Sequence, residues 1–375
     1  MKVLIVPDKF KGTLTAAEAA AAMARGWRKV RPDDQLDLLP MSDGGDGFGE
    51  VISATLQARP RALRTVDAAH RACRANWWWA AKSRTAIVES AKIIGLAMLP
   101  RGKFHPFELD TYGLGAALLG AQASSARQIL IGIGGSATND GGFGLARALG
   151  WRFLDARDDA IERWTELHRL LSVQPATRPI SAKVKVAVDV QNKLLGAHGA
   201  TRVYGPQKGI RPDDFELAER CLTRLAGVMR RQFGRDFARV PGTGAAGGLG
   251  FGLLAFLDAS LEPGFDLFAR LAKLDRRMRR ADLVITGEGA IDRSTLMGKG
   301  VGEIARRCAA LKIPCLGLAG TVPPDCRHSR RFTRVQALTD LTSAARAMAD
   351  SGRWLARLAQ KAASEFPFKQ EQAGA

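Results

Sequence analysis

Seven carboxylates and three lysines of this 375-residue chain sit in glycine-rich loops that follow short apolar runs. They are Asp8, Asp43, Asp46, Asp140, Asp189, Glu288 and Asp292, with Lys11, Lys208 and Lys299. Any one such Asp could simply cap a turn. Taken together, acids and lysines at strand ends fit magnesium-dependent phosphoryl transfer. Mg²⁺ is a hard cation that takes one or two carboxylates alongside phosphate oxygens and retained waters. Lysines offset charge on the transferring group, and one carboxylate accepts the proton of the attacking hydroxyl. Asp43 and Asp46, sharing the loop Ser42-Asp43-Gly44-Gly45-Asp46-Gly47, are the expected metal ligands. Asp189, which ends the alternating run Lys183 to Val188 and has Asn192 nearby, is the expected base. Asp8, Lys11, Asp292 and Lys299 complete the expected catalytic set.

The longest of these loops is Gly132-Ile133-Gly134-Gly135-Ser136-Ala137-Thr138-Asn139-Asp140-Gly141-Gly142, fed by the apolar run Gln128 to Ile133. Strand, glycine loop and helix start together bring backbone N–H groups against an anion. The glycines permit close approach, and Ser136 and Thr138 add hydroxyls. Gly132-x-Gly134-x-x-Ala137 with Asp155 further on also matches a dinucleotide fingerprint. Asp140 argues against that reading, because a carboxylate at the helix start would repel a pyrophosphate. Gly242-x-Gly244-x-x-Gly247 matches as well, without a convincing strand before it. Walker A, H-E-x-x-H and G-x-S-x-G patterns do not occur, which disfavours P-loop enzymes, zincins and serine hydrolases.

The elements that must position these residues alternate strand and helix. Lys2 to Val6 reads as a buried strand, and Thr15 with Glu18 as a capping box opening a helix that stops at Arg31-Pro32. Asp37 to Leu39 is a second strand, so a parallel sheet is expected, with ligands at the strands' carboxyl ends. Trp77 to Trp79 and Thr85 to Glu89 read as strands of a different unit. Gly205-Pro206-Gln207-Lys208-Gly209 reads as a turn before a long helix starting near Asp213. Val240 to Gly248 opens a glycine-started helix, Leu283 to Ile285 and Cys315 to Ala319 are strands, and Leu341 to Ala363 is one amphipathic helix. The expectation is α/β throughout, with two α/β domains of parallel or mixed sheets. Residues 1–58 plus 281–375 form a discontinuous open domain, and 59–280 form an inserted one.

Composition narrows the partners. Lys+Arg 56 against Asp+Glu 37 gives a net charge of +19, yet the arginines are spread singly or in pairs along the chain. A generically basic surface is expected, with no specific nucleic-acid site. The five cysteines form no C-x-x-C pair, which points to reduced cytosolic thiols. The chain starts directly in a strand and its longest apolar run, Gly248 to Leu257, is too short for a span. A cytoplasmic protein without a signal peptide or membrane contact is expected.

In order and along nearly the whole chain, the motifs resemble the bacterial type 1 glycerate kinase family. The matching segments are Pro7 to Ala16, Ser42 to Gly47, Gly132 to Gly142, Asp189-Val190 with Asn192, and Gly205 to Gly209. Pro241 to Gly248, Ile285 to Gly289, Asp292 and Gly298-Lys299 complete them. The resemblance implies ATP-dependent phosphorylation of D-glycerate, typically at the 2-hydroxyl, with 3-phosphoglycerate the alternative product. It also implies two α/β domains, one flavodoxin- or Rossmann-like, with a cleft between them, in a monomer or homodimer. ATP and Mg²⁺ are the implied cofactors. Gly134, Gly135, Ser136, Thr138, Asn139, Asp140, Lys208, Gly244, Gly247, Gly287 and Glu288 are the expected nucleotide contacts. The chain departs from the family pattern at Lys9, Asp46, Asp67 to His70, Leu109-Asp110, Ala116, Ala290 and Met297. Ala290 stands where Arg is usual, so a different 2-hydroxy acid is the alternative substrate. From another class, a non-catalytic nucleotide- or nucleic-acid-binding protein is the runner-up.

Overall fold

The computed structural model describes residues 1–296, 300–327 and 329–367. Thirteen strands occur among them. The first seven are β1 (Lys2–Ile5), β2 (Gln35–Leu38), β3 (Arg59–Val66), β4 (Ala72–Ala80), β5 (Thr85–Glu89), β6 (Gln128–Gly132) and β7 (Arg152–Leu154). Then come β8 (Ser172–Gln174), β9 (Lys183–Ala187), β10 (Ser260–Glu262), β11 (Leu283–Thr286), β12 (Cys315–Ala319) and β13 (Arg334–Ala337). The chain divides into two compact units, Met1–Ser42 with Phe268–Ala375, and Asp43–Leu267. Expected boundaries at 58/59 and 280/281 lie later than these. The reason at the first is α2 (Phe48–Leu56), whose Gly49 packs directly on the Trp78 ring of β4, so residues 43–58 go with the inserted unit.

The discontinuous unit is a five-stranded sheet in the order β13-β12-β11-β1-β2, parallel throughout. Counted within the unit that order is 2-1-3-4-5, the flavodoxin-like arrangement, whose switch point lies between β1 and β11. The apolar runs of β1, β11 and β12 are buried on both faces, as parallel strands covered by helices require. On one face lies α1 (Ala16–Arg28), opened by the expected box: Glu18 N–H donates to Thr15 Oγ1 and Thr15 N–H to Glu18 Oε2. It packs on Ser351–Glu365 so closely that a Cβ on Gly26 would run into the Ala356 carbonyl. The expected single helix over 341–363 is two, Ala344–Ala349 and Ser351–Glu365. Asp350 leaves the helical region at φ −144 and its carboxylate accepts from Arg353 N–H, restarting the chain.

The inserted unit is a six-stranded mixed sheet, β10-β9-β6-β5-β4-β3, with α3 (Ala91–Ile94) and α4 (Leu114–Ala123) between β5 and β6 in the chain. Its first four strands are parallel, and β4 and β3 run antiparallel at the edge. Glu89, Gly132, Ala187 and Glu262 lie in one register row, so β5, β6, β9 and β10 reach their carboxyl ends together. Two buried clusters hold this unit, one on β5, β6 and β9, the other under α7 (Phe215–Phe233) with Phe143, Phe153 and Trp164. The Gly205-Pro206-Gln207-Lys208 stretch, expected as a turn, is the last turn of α6 (Ala200–Lys208), and Gly209 ends it at φ +96. Thr201, Gly205 and Lys208 share that helix's buried face, and burial overrides the local turn composition.

Candidate active site

Within the discontinuous unit, the switch point gathers Asp8, Gly287 and Glu288. Asp8 N–H donates to the Gly287 carbonyl at 2.8 Å, and Thr286 Oγ1 donates to the Val6 carbonyl at 2.8 Å. Gly287 has a packing duty: a Cβ there would run into the Leu318 carbonyl. Glu288 Oε1 accepts from Thr295 Oγ1 at 2.7 Å, and Asp8 Oδ1 accepts from Lys9 N–H at 2.7 Å. Lys11 is exposed, and its backbone N lies 3.4 Å from where a Cβ on Gly289 would stand. Asp292 accepts from Ser294 N–H and Oγ and from Thr295 N–H, capping Arg293–Leu296. The Ser294 hydroxyl and the Thr295 N–H hold its carboxyl below the ordinary value. Asp8, Lys11, Gly287, Glu288 and Asp292 thus share the carboxyl edge where parallel-sheet proteins bind ligands. Lys299, with Met297, lies outside the described residues.

The inserted unit brings together Asp43, Asp46, Gly134, Gly135 and Asp189, likewise at strand ends. Asp43, read from sequence as part of the first domain, opens this one. Its Oδ1 accepts from Gly45 N–H at 3.1 Å, and Gly264 sits hard against its carbonyl. Gly264 N–H in turn donates to Asp189 Oδ1 at 3.0 Å, so Asp43 and Asp189 flank one glycine. Gly134 N–H is taken by the Gly44 carbonyl at 3.4 Å, which pins the two glycine loops together. Gly135, at φ +73, is exposed, and any side chain there would collide with Asp46 Oδ1. Asp46 is exposed and Asp43 and Asp189 are half-buried.

The rest of the glycine loop turns inward. Thr138, Asn139 and Asp140 are fully buried and Ser136 is nearly so. Ser136 and Thr138 hydroxyls bond to one another at 2.9 Å, and Asn139 Nδ2 donates to Thr201 Oγ1 at 3.0 Å. Asp140 Oδ2 accepts from Thr111 N–H, Thr111 Oγ1 and Gly144 N–H at 2.7–2.9 Å, and Oδ1 accepts from Gly142 N–H at 3.2 Å. Burial, with the Asp110 carboxylate adding repulsion, pushes its carboxyl up to about 6. Lys208 is buried and donates to the Thr138 carbonyl at 2.6 Å; burial brings its ammonium down to about 7, with Asp140 opposing. Gly244 N–H donates to the Asn192 carbonyl, and Gly247 lies against the Thr138 carbonyl. Asn139, Asp140, Lys208, Gly244 and Gly247, expected at the nucleotide, here form the frame beneath the loop's exposed tip. The dinucleotide fingerprint finds no support in the topology. The strand after the loop, β7, leaves the parallel sheet and pairs antiparallel with β8, and Asp155 caps its own turn through Arg157 and Asp159 N–H.

Two residues of this frame carried no functional assignment in the sequence. Glu89, at the end of β5, accepts from Gly47 N–H at 3.0 Å and Gly49 N–H at 2.8 Å. Thr111 both donates to Asp140 and accepts from Leu145 N–H, joining the 109–116 loop to α5 (Phe143–Ala148). An acid ending the apolar run Ala86-Ile87-Val88 was the available signal for Glu89.

A hydrated Mg²⁺ would fit the Asp43–Asp46 loop: its donors are hard carboxylate oxygens, one of them exposed beside a bare glycine. Among the described residues no three His, Cys, Asp or Glu side chains converge as a preformed metal set, and Mg²⁺ needs only one or two. All five cysteines are free thiols, and no described helix is long and apolar enough to cross a membrane.

Fold and sites together define an α/β protein with two ligand-competent strand edges. Its sequence matches the model of the glycerate kinase family over residues 3–366. It is 37% identical over 324 residues to a glycerate kinase of Halalkalibacterium halodurans, covering 85% of each chain. It is 36% identical over 332 residues to the glycerate 2-kinase of Escherichia coli, covering 87% of this chain and 86% of that one. A crystal structure of a putative glycerate kinase 2 from Salmonella typhimurium superposes with a TM-score of 0.84 at 32% identity, covering 97% of both chains. The chain belongs to the glycerate kinase family and is a kinase. A non-catalytic binding protein is therefore set aside.

Proposed function

We propose that this kinase transfers the γ-phosphoryl group of ATP, with Mg²⁺, to the 2-hydroxyl of D-glycerate in the cytoplasm. One observation carries the reading: an exposed carboxylate, Asp46, set against the exposed glycine Gly135, and a half-buried one, Asp189, stand at the carboxyl ends of four aligned parallel strands. Asp189 accepts the hydroxyl proton as the glycerate oxygen bonds to phosphorus and the bond to the ADP oxygen breaks. A loose phosphoryl-transfer transition state needs that acceptance only late, so a positioned carboxylate suffices. Gly264 N–H holds one Asp189 oxygen, which orients the other. Asp46, with Asp43, would hold Mg²⁺. When bound, that ion offsets charge on the phosphate oxygens. Lys11, Asp8, Gly287 and Glu288 are assigned to ligand binding at the other unit's switch point, and Asp292 to shaping its loop.

A coupled assay of ADP formation tests this: turnover should require both D-glycerate and Mg²⁺, and phosphorus NMR should show 2-phosphoglycerate. The 3-isomer would correct the attacking hydroxyl. A second reading, a kinase for another 2-hydroxy acid, is favoured by Ala290. It is exposed, and the neighbouring guanidinium, Arg293, is held by Asp325 at 2.8 Å. ADP formation with lactate, tartronate or malate but not glycerate would establish that substrate class instead.

A further inference from the structure

We propose that Glu89 is a positioning residue for phosphoryl transfer: it fixes the Asp43–Gly47 loop on α2 and so sets where the Asp46 carboxylate stands against Gly135. The inference rests on the reading of Asp46 as a metal-binding carboxylate.

Within the loop, Gly45 N–H bonds Asp43 Oδ1 and Phe48 N–H bonds the Gly45 carbonyl. Gly47, the N-cap of α2 at φ +88, has no side chain to cap with, so its own N–H and that of Gly49 are satisfied from another segment. Glu89 reaches in from the end of β5 and takes both donors, Gly47 N–H on one oxygen and Gly49 N–H on the other. It is 2% exposed. A carboxylate this buried is tolerated when its charge meets backbone donors at a helix start. The same strand end locks the other wall of the site. Ser90 N–H donates to the Gly132 carbonyl, Leu96 N–H to the Gly135 carbonyl, and Ala137 N–H to the Ile94 carbonyl. Ala91 Cβ would lie 3.1 Å from a Cβ placed on Gly135. Glu89 therefore sits where β5 hands over to the glycine loop on one side and to the Asp46 loop on the other. Asp46 follows Asp43 by three residues and precedes Gly47 by one, so the Gly47 bond is the nearest fixed point beyond it.

Lys92 lies beside this frame and bonds none of it. Its ammonium bonds Glu50 at 3.2 Å, and, against the effect of burial, the charges of Glu89, Glu50 and Asp46 keep it protonated. This surface pair makes a natural control, since it shares the charge environment of Glu89 but bonds none of the loop's backbone.

Glu89→Gln keeps the volume and places an amide donor where one N–H must now be left without an acceptor. Amides of residues 43–50 should exchange with deuterium about tenfold faster or more, while the rest of the sheet is unchanged. Half-saturation by Mg²⁺ in the glycerate assay should rise by about tenfold, the scale seen when an outer-shell partner of a metal ligand is removed. The KM for glycerate should move less than twofold, roughly. Mn²⁺ binding in the presence of ADP, followed by electron paramagnetic resonance, should weaken in parallel without any turnover. Glu89→Asp keeps the charge and should recover part of each loss, and Glu50→Gln should change none. Unchanged exchange over 43–50 would overturn the proposal. So would loosened exchange with unaltered Mn²⁺ and Mg²⁺ requirements. If Glu89→Gln does not fold, Glu89→Asp carries the same two measurements at smaller amplitude, and unchanged values there overturn it. A wild-type protein that exchanges and binds Mn²⁺ as described but makes no ADP with glycerate would remove the substrate assignment and leave the positioning role standing.

Discussion

Acids after apolar strands occur at both sheet edges of this protein, and the two edges use them differently. In the discontinuous unit, Asp8, Glu288 and Asp292 are half-buried, and each bonds a group within nine residues of itself or in the adjacent strand's loop. In the inserted unit the acids separate into layers. Asp46 and Asp189 stand at the rim, while Glu89 and Asp140 lie beneath it, buried and saturated with N–H and hydroxyl donors. The opposite pKa directions of Asp292 and Asp140 reflect this: local hydrogen bonds lower the first and burial raises the second. Similar sequence context yields accessible carboxylates at one depth and a buried, hydrogen-bonded scaffold at another.

The sharpest test of that layering compares one carboxylate from each layer. Asp189→Asn preserves the acceptor for Gly264 N–H but removes the proton acceptor, so kcat should fall by about a hundredfold or more with ATP affinity and thermal stability nearly intact. Retained kcat with a lower melting temperature would move Asp189 into the scaffold layer.

Asp140 should behave in the opposite way, through stability and its pH dependence. Its folded-state pKa, about 6, lies above the unfolded 3.8, so between roughly pH 4 and 6 the native protein holds a proton that the unfolded chain has released. The contribution is present below pH 4 and lost as pH rises through 6, on the order of 3 kcal/mol in all. Asp140→Asn does not titrate. Urea unfolding should therefore show the variant's deficit relative to wild type shrinking from pH 4 to pH 7, and a pH-independent deficit would contradict this.

Gly135→Ala probes the boundary between layers. The added methyl is strained at φ +73 and collides with Asp46 Oδ1. About 1–3 kcal/mol of local cost is expected, read as a raised Mg²⁺ requirement with little loss of glycerate affinity. If only stability changes, Asp46 does not depend on that contact. The smallest effect belongs to the other edge. Asp292→Ala removes a cap from a four-residue helix and should cost no more than about 1 kcal/mol in chemical denaturation. A collapse of turnover without loss of stability would instead give Asp292 a direct part in the chemistry.

Much of the fold was readable from local sequence. Alternating apolar runs and capped helices specified parallel strands, and the Thr15–Glu18 box fell where local chemistry placed it, while the long helix expected from near Asp213 starts at Phe215. Local sequence also marked candidates for phosphoryl transfer, because acids, lysines and glycines at strand ends are a local pattern. Depth came from packing between distant segments. Asp46 and Asp140 each follow a strand and lie beside glycines, yet one is exposed and the other fully buried, because α6 and α8 (Ala245–Leu257) cover only the far end of the glycine loop. Lys208 was legible as a lysine in a glycine-bounded segment, but its bond to the Thr138 carbonyl joins residues 70 apart in sequence. Ala246, Gly247 and Gly248 adopt positive φ inside α8 so that Gly247 can meet that carbonyl, a contact no local rule contains. Glu89 was hidden for the same reason: its partners, Gly47 and Gly49, are 42 and 40 residues away. Hydrogen bonds between distant segments are set by sheet register and helix packing, and only the folded chain brings those partners within reach.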